Sequence, residues 1–235
     1  MYLINRVKHA IVRRVPKWHH QKDTYSQAGE DAIVRFIFQE LLFVQQPTYI
    51  DIGAYHPYHL SNTAIFSETG SWGITVEPNP DQFKLFEKHR PHAVNLNGGV
   101  GLVNDTITYY SLRHPTLNTF IEEEAMKYEK DIVRRIPVPV WRFSDIIAKY
   151  AQGRSIDFLS LDVEGLDEGI IRSIDFGQTR PKVMCIETVE NDGNKGWRRL
   201  DSMITYIKQQ GYLHYADTCI NSIFIDKAVF PISLT

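Results

Sequence analysis

This chain predicts an open α/β fold, a mostly parallel sheet flanked by helices, and three stretches carry the prediction. In Thr48-Tyr49-Ile50-Asp51-Ile52-Gly53-Ala54, apolar and β-favouring residues run into an acid and then a glycine, the pattern of a buried parallel strand that ends in a tight turn. Trp72-Gly73-Ile74-Thr75-Val76-Glu77-Pro78 repeats the pattern and closes on Glu77. That acid falls about twenty residues after the glycine, where Rossmann-type folds hold the ribose hydroxyls of a nucleoside. Ile156 to Gly165 forms the third stretch and delivers Asp162, Glu164 and a glycine to its end. Ligands of open α/β sheets bind off the carboxyl ends of the strands, where these acids gather. The plain alternative at each place is a strand end followed by a turn or a helix cap.

The first turn narrows the choice of nucleoside. A dinucleotide needs G-x-G-x-x-G, so that its pyrophosphate reaches the helix amides. Here Gly53 is followed by Ala54-Tyr55-His56-Pro57-Tyr58. Bulky side chains and a single glycine suit a ligand without phosphate, which favours S-adenosylmethionine over NAD. Gly53 lets backbone and ligand approach, and Asp51 sets a carboxylate beside them.

Bulk properties bound the rest. With 235 residues, 43% of them hydrophobic, the chain has material for one sizeable core. A formal net charge of -2 gives no general attraction to nucleic acid or anionic membranes. Cys185 lies in an apolar strand pattern, and both it and Cys219 read as reduced core thiols, which points to the cytoplasm. No apolar run approaches the roughly 18 residues of a membrane span, and no signal-peptide pattern is visible at the start.

In chain order, residues 1–18 interleave apolar side chains with Arg6, Lys8, Arg13, Arg14 and Lys17. This basic helix candidate suits either a membrane surface or the side of the domain, and Pro16 cuts it short. The expected organisation is therefore a basic helical extension over 1–23 and one domain over 24–235. Ser26, Gly29 and Glu30 open an apolar helix, and Gln27 and Glu30 can also reach the amino-acid end of the cofactor. Ser61-Asn62-Thr63 offers caps for a helix through Phe66. Asn79 and Asp81 cap the helix after the second strand. A third strand ends at Asn97, a candidate for the adenine edge or a turn residue. Thr106 to Leu112 reads as an extra strand, and the charged stretch at about 113–135 as a substrate loop or a solvated excursion. Period two would bring Asp162 and Glu164 to one side if their strand continued. Val183 to Thr188 is a fifth strand, Trp197 to Gln210 an amphipathic helix, and two final strands form a hairpin.

Taken in order, several of these segments resemble the FkbM family of S-adenosylmethionine-dependent methyltransferases. They are Tyr25-Ser26-Gln27-Ala28-Gly29-Glu30-Asp31, Asp51 to Pro57, Ser61-Asn62-Thr63, Val76-Glu77-Pro78-Asn79-Pro80, Arg90-Pro91, Ile156 to Gly165 and Arg180-Pro181. The resemblance spans about residues 24–226. It implies a Rossmann-like class I methyltransferase sheet of seven strands, the last one antiparallel, and commonly methylation of hydroxyls on glycans or natural products. Tyr55 departs from it, since many relatives carry Asn there.

The site expected from residues and resemblance together places Gln27, Glu30, Asp51, Gly53, Ala54, Glu77, Asn79, Asn97 and Asp162 on the cofactor. His56, Asp162 and Glu164 are the catalytic candidates, with His56 or Glu164 as base. A divalent cation on Asp162 and Glu187 is a further option that no third ligand supports. The acceptor expected is a small molecule or glycan. A methyltransferase-like binding module without turnover is the main alternative, and an NAD-dependent oxidoreductase a weaker one.

Overall fold

The computed structural model of the chain describes residues 23–114, 117–163, 165–191 and 196–231. The basic segment 1–18 and the catalytic candidate Glu164 lie outside them. Three strands come first: β1 (Tyr49–Ile52), β2 (Gly73–Glu77) and β3 (Val94–Asn97). A second, three-stranded sheet follows, made of β4 (Gly99–Gly101), β5 (Asp105–Leu112) and β6 (Ile132–Arg142). The main sheet resumes with β7 (Phe158–Leu161) and β8 (Val183–Glu187). A short hairpin, β9 (Val189–Asn191) and β10 (Trp197–Arg199), precedes the closing pair β11 (Tyr212–Asp217) and β12 (Asn221–Asp226).

The main sheet has seven strands in the order β3-β2-β1-β7-β8-β12-β11, parallel except for β12, which runs against both neighbours. From β1 the chain fills one side through β2 and β3, then crosses to the other side with β7. Strand order therefore reverses between β1 and β7, the place where such sheets bind ligands.

Alternate side chains of each strand feed two cores. Ile50, Ile52, Leu159 and Leu161 pack with α5 (Phe143–Tyr150), α6 (Asp167–Ser173) and α7 (Asp201–Gln209). Tyr49, Phe158, Cys185 and Ile223 pack on the opposite face with α1 (Glu30–Phe36) and α2 (Ala64–Ser67). There Phe38, Phe66 and Phe158 meet edge to face at 5.6–6.1 Å, worth about 0.5–1.5 kcal/mol per pair beyond burial. The remaining helices are α3 (Pro80–His89) and the short α4 (Glu122–Met126).

Three expectations are corrected. Residues 132–135 are not part of a loop: they open β6 and pair with β5. The prolines of β6, Pro137 and Pro139, stand opposite Thr108 and Thr106 of β5 and fall before β4 begins to pair at Val140. Trp197–Arg199 is a strand against Val189–Asn191, and the helix begins only at Asp201. Cys219 is exposed in the β11–β12 turn, while Cys185 is the buried thiol.

The candidate active site at the carboxyl ends of the central strands

The exits of β1 and β7 press against each other. Gly53 has φ +74, and a Cβ there would lie 1.7 Å from the carbonyl oxygen of Asp162. The close approach that demands glycine is thus to the backbone just beyond β7, a reason that no strand pattern reveals. Both Gly53 and Ala54 donate their amides to the Val76 carbonyl at 3.1 Å, tying the turn to β2.

Two acids on this side have their oxygens engaged from within. Asp51 is buried and accepts the Thr63 hydroxyl, with Arg90 Nη1 3.8 Å away. Burial raises its carboxyl above the ordinary value, opposed by the Arg90 charge and by the hydroxyls of Thr63 and Ser160. Glu77, expected on the ribose, accepts the amide of Tyr55 at 2.8 Å on one oxygen and that of Asn79 at 2.7 Å on the other. Burial, with the Asp51 charge adding to it, pushes Glu77 to about 8 against those two amides. A carboxylate has about four acceptor positions, so lone pairs remain for hydroxyls.

Asn79 caps α3 as expected, its Oδ1 accepting the Asp81 amide at 3.0 Å. Asn97 donates its side-chain amide to the carbonyls of Glu77 (2.9 Å) and Pro78 (3.1 Å). Its donors are therefore engaged in joining β3 to β2, and what it can offer a purine is an acceptor. Tyr55 holds φ +53, a left-handed conformation that Asn tolerates and Tyr does not favour.

His56 is placed differently from a base. Its Nδ1 accepts the amides of Tyr58 (3.1 Å) and His59 (3.0 Å), which leaves the proton of the neutral ring on Nε2. Burial, then the neighbouring His59, His89 and Arg90, lower its pKa. A neutral ring whose only free nitrogen carries a proton donates and cannot accept.

On the β7 side, β7 ends at Leu161, so the strand that would have carried Asp162 and Glu164 to one face does not continue. Asp162 hydrogen-bonds Glu187 at the end of β8; burial and the Asp51 charge raise it to about 6, against that bond. Asp167 accepts the amides of Val163 (3.1 Å) and Gly165 (3.3 Å) and so shapes the loop after β7. Burial and Asp162 raise it to about 7. Among the described residues no group of three His, Cys, Asp or Glu is placed to hold a metal ion.

Glu30 is reached from the β12 side, where its partner Asn221 stands opposite Glu187. Glu30 is buried and accepts Thr218 Oγ1 (2.6 Å), Asn221 Nδ2 (3.0 Å) and the Ala28 amide (2.8 Å), which hold it low despite burial and tie α1 to the β11–β12 turn. Gln27 is exposed.

The second sheet stands over the same crevice. Gly98 packs under the Trp141 ring, Gly99 under Phe120, and Gly165 meets Ile121, so the β5–β6 connection folds back onto the loop after β7. Between them lies an apolar cavity of about 200 Å³, with Leu102, Ile107, Phe120, Val140 and Leu166 in its wall.

Sequence reading offered Thr63 only as a helix cap and assigned no role to Arg90, Ser160 or Asp167. Thr63 and Arg90 stood in segments of the family resemblance, but only burial reveals what an arginine after a surface helix touches.

The fold and the acids gathered at the strand ends define a Rossmann-like domain with a ligand crevice at its switch point. The methyltransferase FkbM domain matches residues 51–213, well over half of the chain. This chain belongs to that family. Among solved structures, a putative O-methyltransferase from Klebsiella pneumoniae aligns with a TM-score of 0.38 at 12% identity, covering 86% of this chain and 79% of that one. No curated protein sequence matches the chain. Among the described residues, no helix is long and apolar enough to cross a membrane.

Proposed function

We propose that the chain is an S-adenosylmethionine-dependent O-methyltransferase acting on a hydroxyl of a glycan or glycan precursor. The observation that carries the cofactor is the turn after β1. The next helix, α2, starts only at Ala64 and has four residues, so no helix amides stand at Gly53 for a pyrophosphate. What stands there are carboxyls: Asp51, Glu77 and Asp162 converge on the ends of β1, β2 and β7. That set suits an ammonium, two ribose hydroxyls and a sulfonium better than it suits phosphates. Asp51 and Gly53 belong to the methionine end in this reading, Glu77 to the ribose, and the Asn97 acceptor with the neighbouring apolar cavity to the adenine.

When bound, S-adenosylmethionine supplies an electrophilic methyl group. The chain must hold an acceptor hydroxyl beside it and take that hydroxyl's proton, since a sugar hydroxyl is a poor nucleophile while it keeps it. Asp162 with Glu187 is the pair suited to this. One of the two retains a proton for their mutual hydrogen bond, and Asp162, at about 6, can take a proton near neutral pH. His56, fixed as a donor at Nε2, serves better to orient an acceptor oxygen. The β5–β6 connection, seated on Gly99 and Gly165, borders the crevice where an acceptor enters.

Calorimetry with S-adenosylhomocysteine and with NAD tests the cofactor, and transfer of labelled methyl to glycan extracts tests the acceptor. Tight binding of S-adenosylhomocysteine with no NAD binding is expected, and the reverse overturns the reading. Binding without transfer to any extract would move the chain to a non-catalytic module.

A further inference from the structure

Asp51 is surrounded by hydroxyl groups whose protons have only one direction to go. Arg90 is 1% exposed, stacked between the rings of Tyr49 and Phe86, and its Nη1 donates to Thr63 Oγ1 at 2.8 Å. A guanidinium never accepts, so the Thr63 hydroxyl must send its own proton elsewhere, and Asp51 Oδ2 is its nearest acceptor, well inside the 3.5 Å to Ser61 Oγ. The same logic holds on the neighbouring strand. Asn62 Nδ2 donates to Ser160 Oγ at 3.2 Å, and the Ser160 hydroxyl in turn bonds Asp51.

Ser61 completes the arrangement. Its oxygen accepts Arg90 Nη2 at 3.0 Å and the Ala64 amide at 3.1 Å, while Pro57 takes the other bond of Nη2 at 2.5 Å. One guanidinium thus fixes both the triplet Ser61-Asn62-Thr63 and the turn that carries His56.

We infer that Arg90, Thr63, Asn62 and Ser160 form a directed donor shell that holds Asp51 as an acceptor-only carboxylate, ready for the primary ammonium of an amino-acid ligand. These are positioning residues, since Asp51 is the group that meets the ligand. The shell is needed because of what else faces Asp51: Glu77 from β2 and Asp162 from the exit of β7 are anionic when ionised, and Tyr49 on β1 and Cys185 on β8 add no positive charge. Arg90 is the cation that opposes them. Burial already raises Asp51 above its ordinary value, and without directed donors the neutral acid, which binds an ammonium weakly, would prevail. The ligand class assigned here rests on the methyl-donor reading of the site; the state of Asp51 does not.

The test uses the full chain, labelled with carboxyl-¹³C aspartate and with Asp51 assigned by its loss in Asp51→Asn. Thr63→Val removes the hydroxyl and keeps the shape, Thr63→Ser restores it, and Ser160→Ala removes the second relay, so a fold lost in one variant leaves the other to decide. The Asp51 midpoint should rise by about one pH unit or more in Thr63→Val or Ser160→Ala and return in Thr63→Ser. Affinity for S-adenosylhomocysteine should fall about tenfold at about pH 6 in the two disrupting variants and recover as pH rises. An unshifted midpoint in a folded Thr63→Val or Ser160→Ala overturns the shell. If the wild type itself fails to bind S-adenosylhomocysteine, the methyl-donor reading falls, and the titration still decides the shell.

Discussion

The two halves of the crevice handle their acids in opposite ways. At the ends of β1 and β2, Asp51 and Glu77 are buried and surrounded by donors from the chain: hydroxyls on one, backbone amides on the other. At the ends of β7 and β8, Asp162 and Glu187 are bonded to each other. Carboxyls held by donors are fixed in place, which suits recognition of a ligand that never changes its own charge. Carboxyls that share a proton are a reservoir, which suits a step in which a proton moves. In the proposed reading the crevice is a cradle on one side and a proton acceptor on the other, joined at the Gly53–Asp162 contact.

Breaking that junction should have the largest effect. Gly53→Ala places a methyl group inside the Asp162 carbonyl at a positive φ, so neither half can keep its position. Loss of folding, or destabilisation of about 4 kcal/mol or more in urea titrations, is expected. A Gly53→Ala protein within about 1 kcal/mol of wild type would mean that the two halves are not locked together.

Acidity sharpens the comparison next. Glu77, Asp167 and Asp162 stand at about 8, 7 and 6 in the folded chain, all above the values of an unfolded chain. A carboxyl whose folded pKa is raised keeps its proton longer when folded, so the folded state binds more protons and stability falls as pH rises through this window. Between about pH 5 and 8 Glu77 alone should cost the ligand-free protein on the order of 3 kcal/mol, with Asp167 and Asp162 adding to it. Thermal melts across that range check it, and a flat or rising profile would contradict the picture of acids held up by burial.

The functional split is tested by Asp162→Asn. With a donor amide in place of one proton acceptor, methyl transfer in single-turnover experiments should slow by about 10²-fold or more, while affinity for S-adenosylhomocysteine changes far less. Equal losses in both would place Asp162 in the cradle instead. The smallest effect expected is a gain: Tyr55→Asn relieves a left-handed Tyr at φ +53 and should stabilise the chain by about 1 kcal/mol, read as a rise in melting temperature. No gain would mean that the contact between the Tyr55 and His59 rings offsets the backbone cost.

What the sequence determined alone was whatever depends on local pattern. Apolar runs that end in Asp51, Glu77 and Asp162 marked the central strands, because a strand buried on both faces must be apolar along its length and can place acids only where it leaves the sheet. The spacing from Gly53 to Glu77, the cap at Asn79 and the family resemblance follow from the same short-range signals. Tertiary structure decided whatever depends on meetings between distant segments. Arg90 looks like the exposed end of an amphipathic helix until burial places it between Tyr49 and Phe86. Trp197-Arg198-Arg199 continues a helical pattern until Val189–Asn191 offers it a strand to pair with. The atoms that His56 and Asn97 have left for a ligand were settled by backbone groups two, three, nineteen and twenty residues away. Hydrogen bonds are directional and each side chain has few of them, so which atoms remain for a ligand is settled only when the folded neighbours have taken theirs.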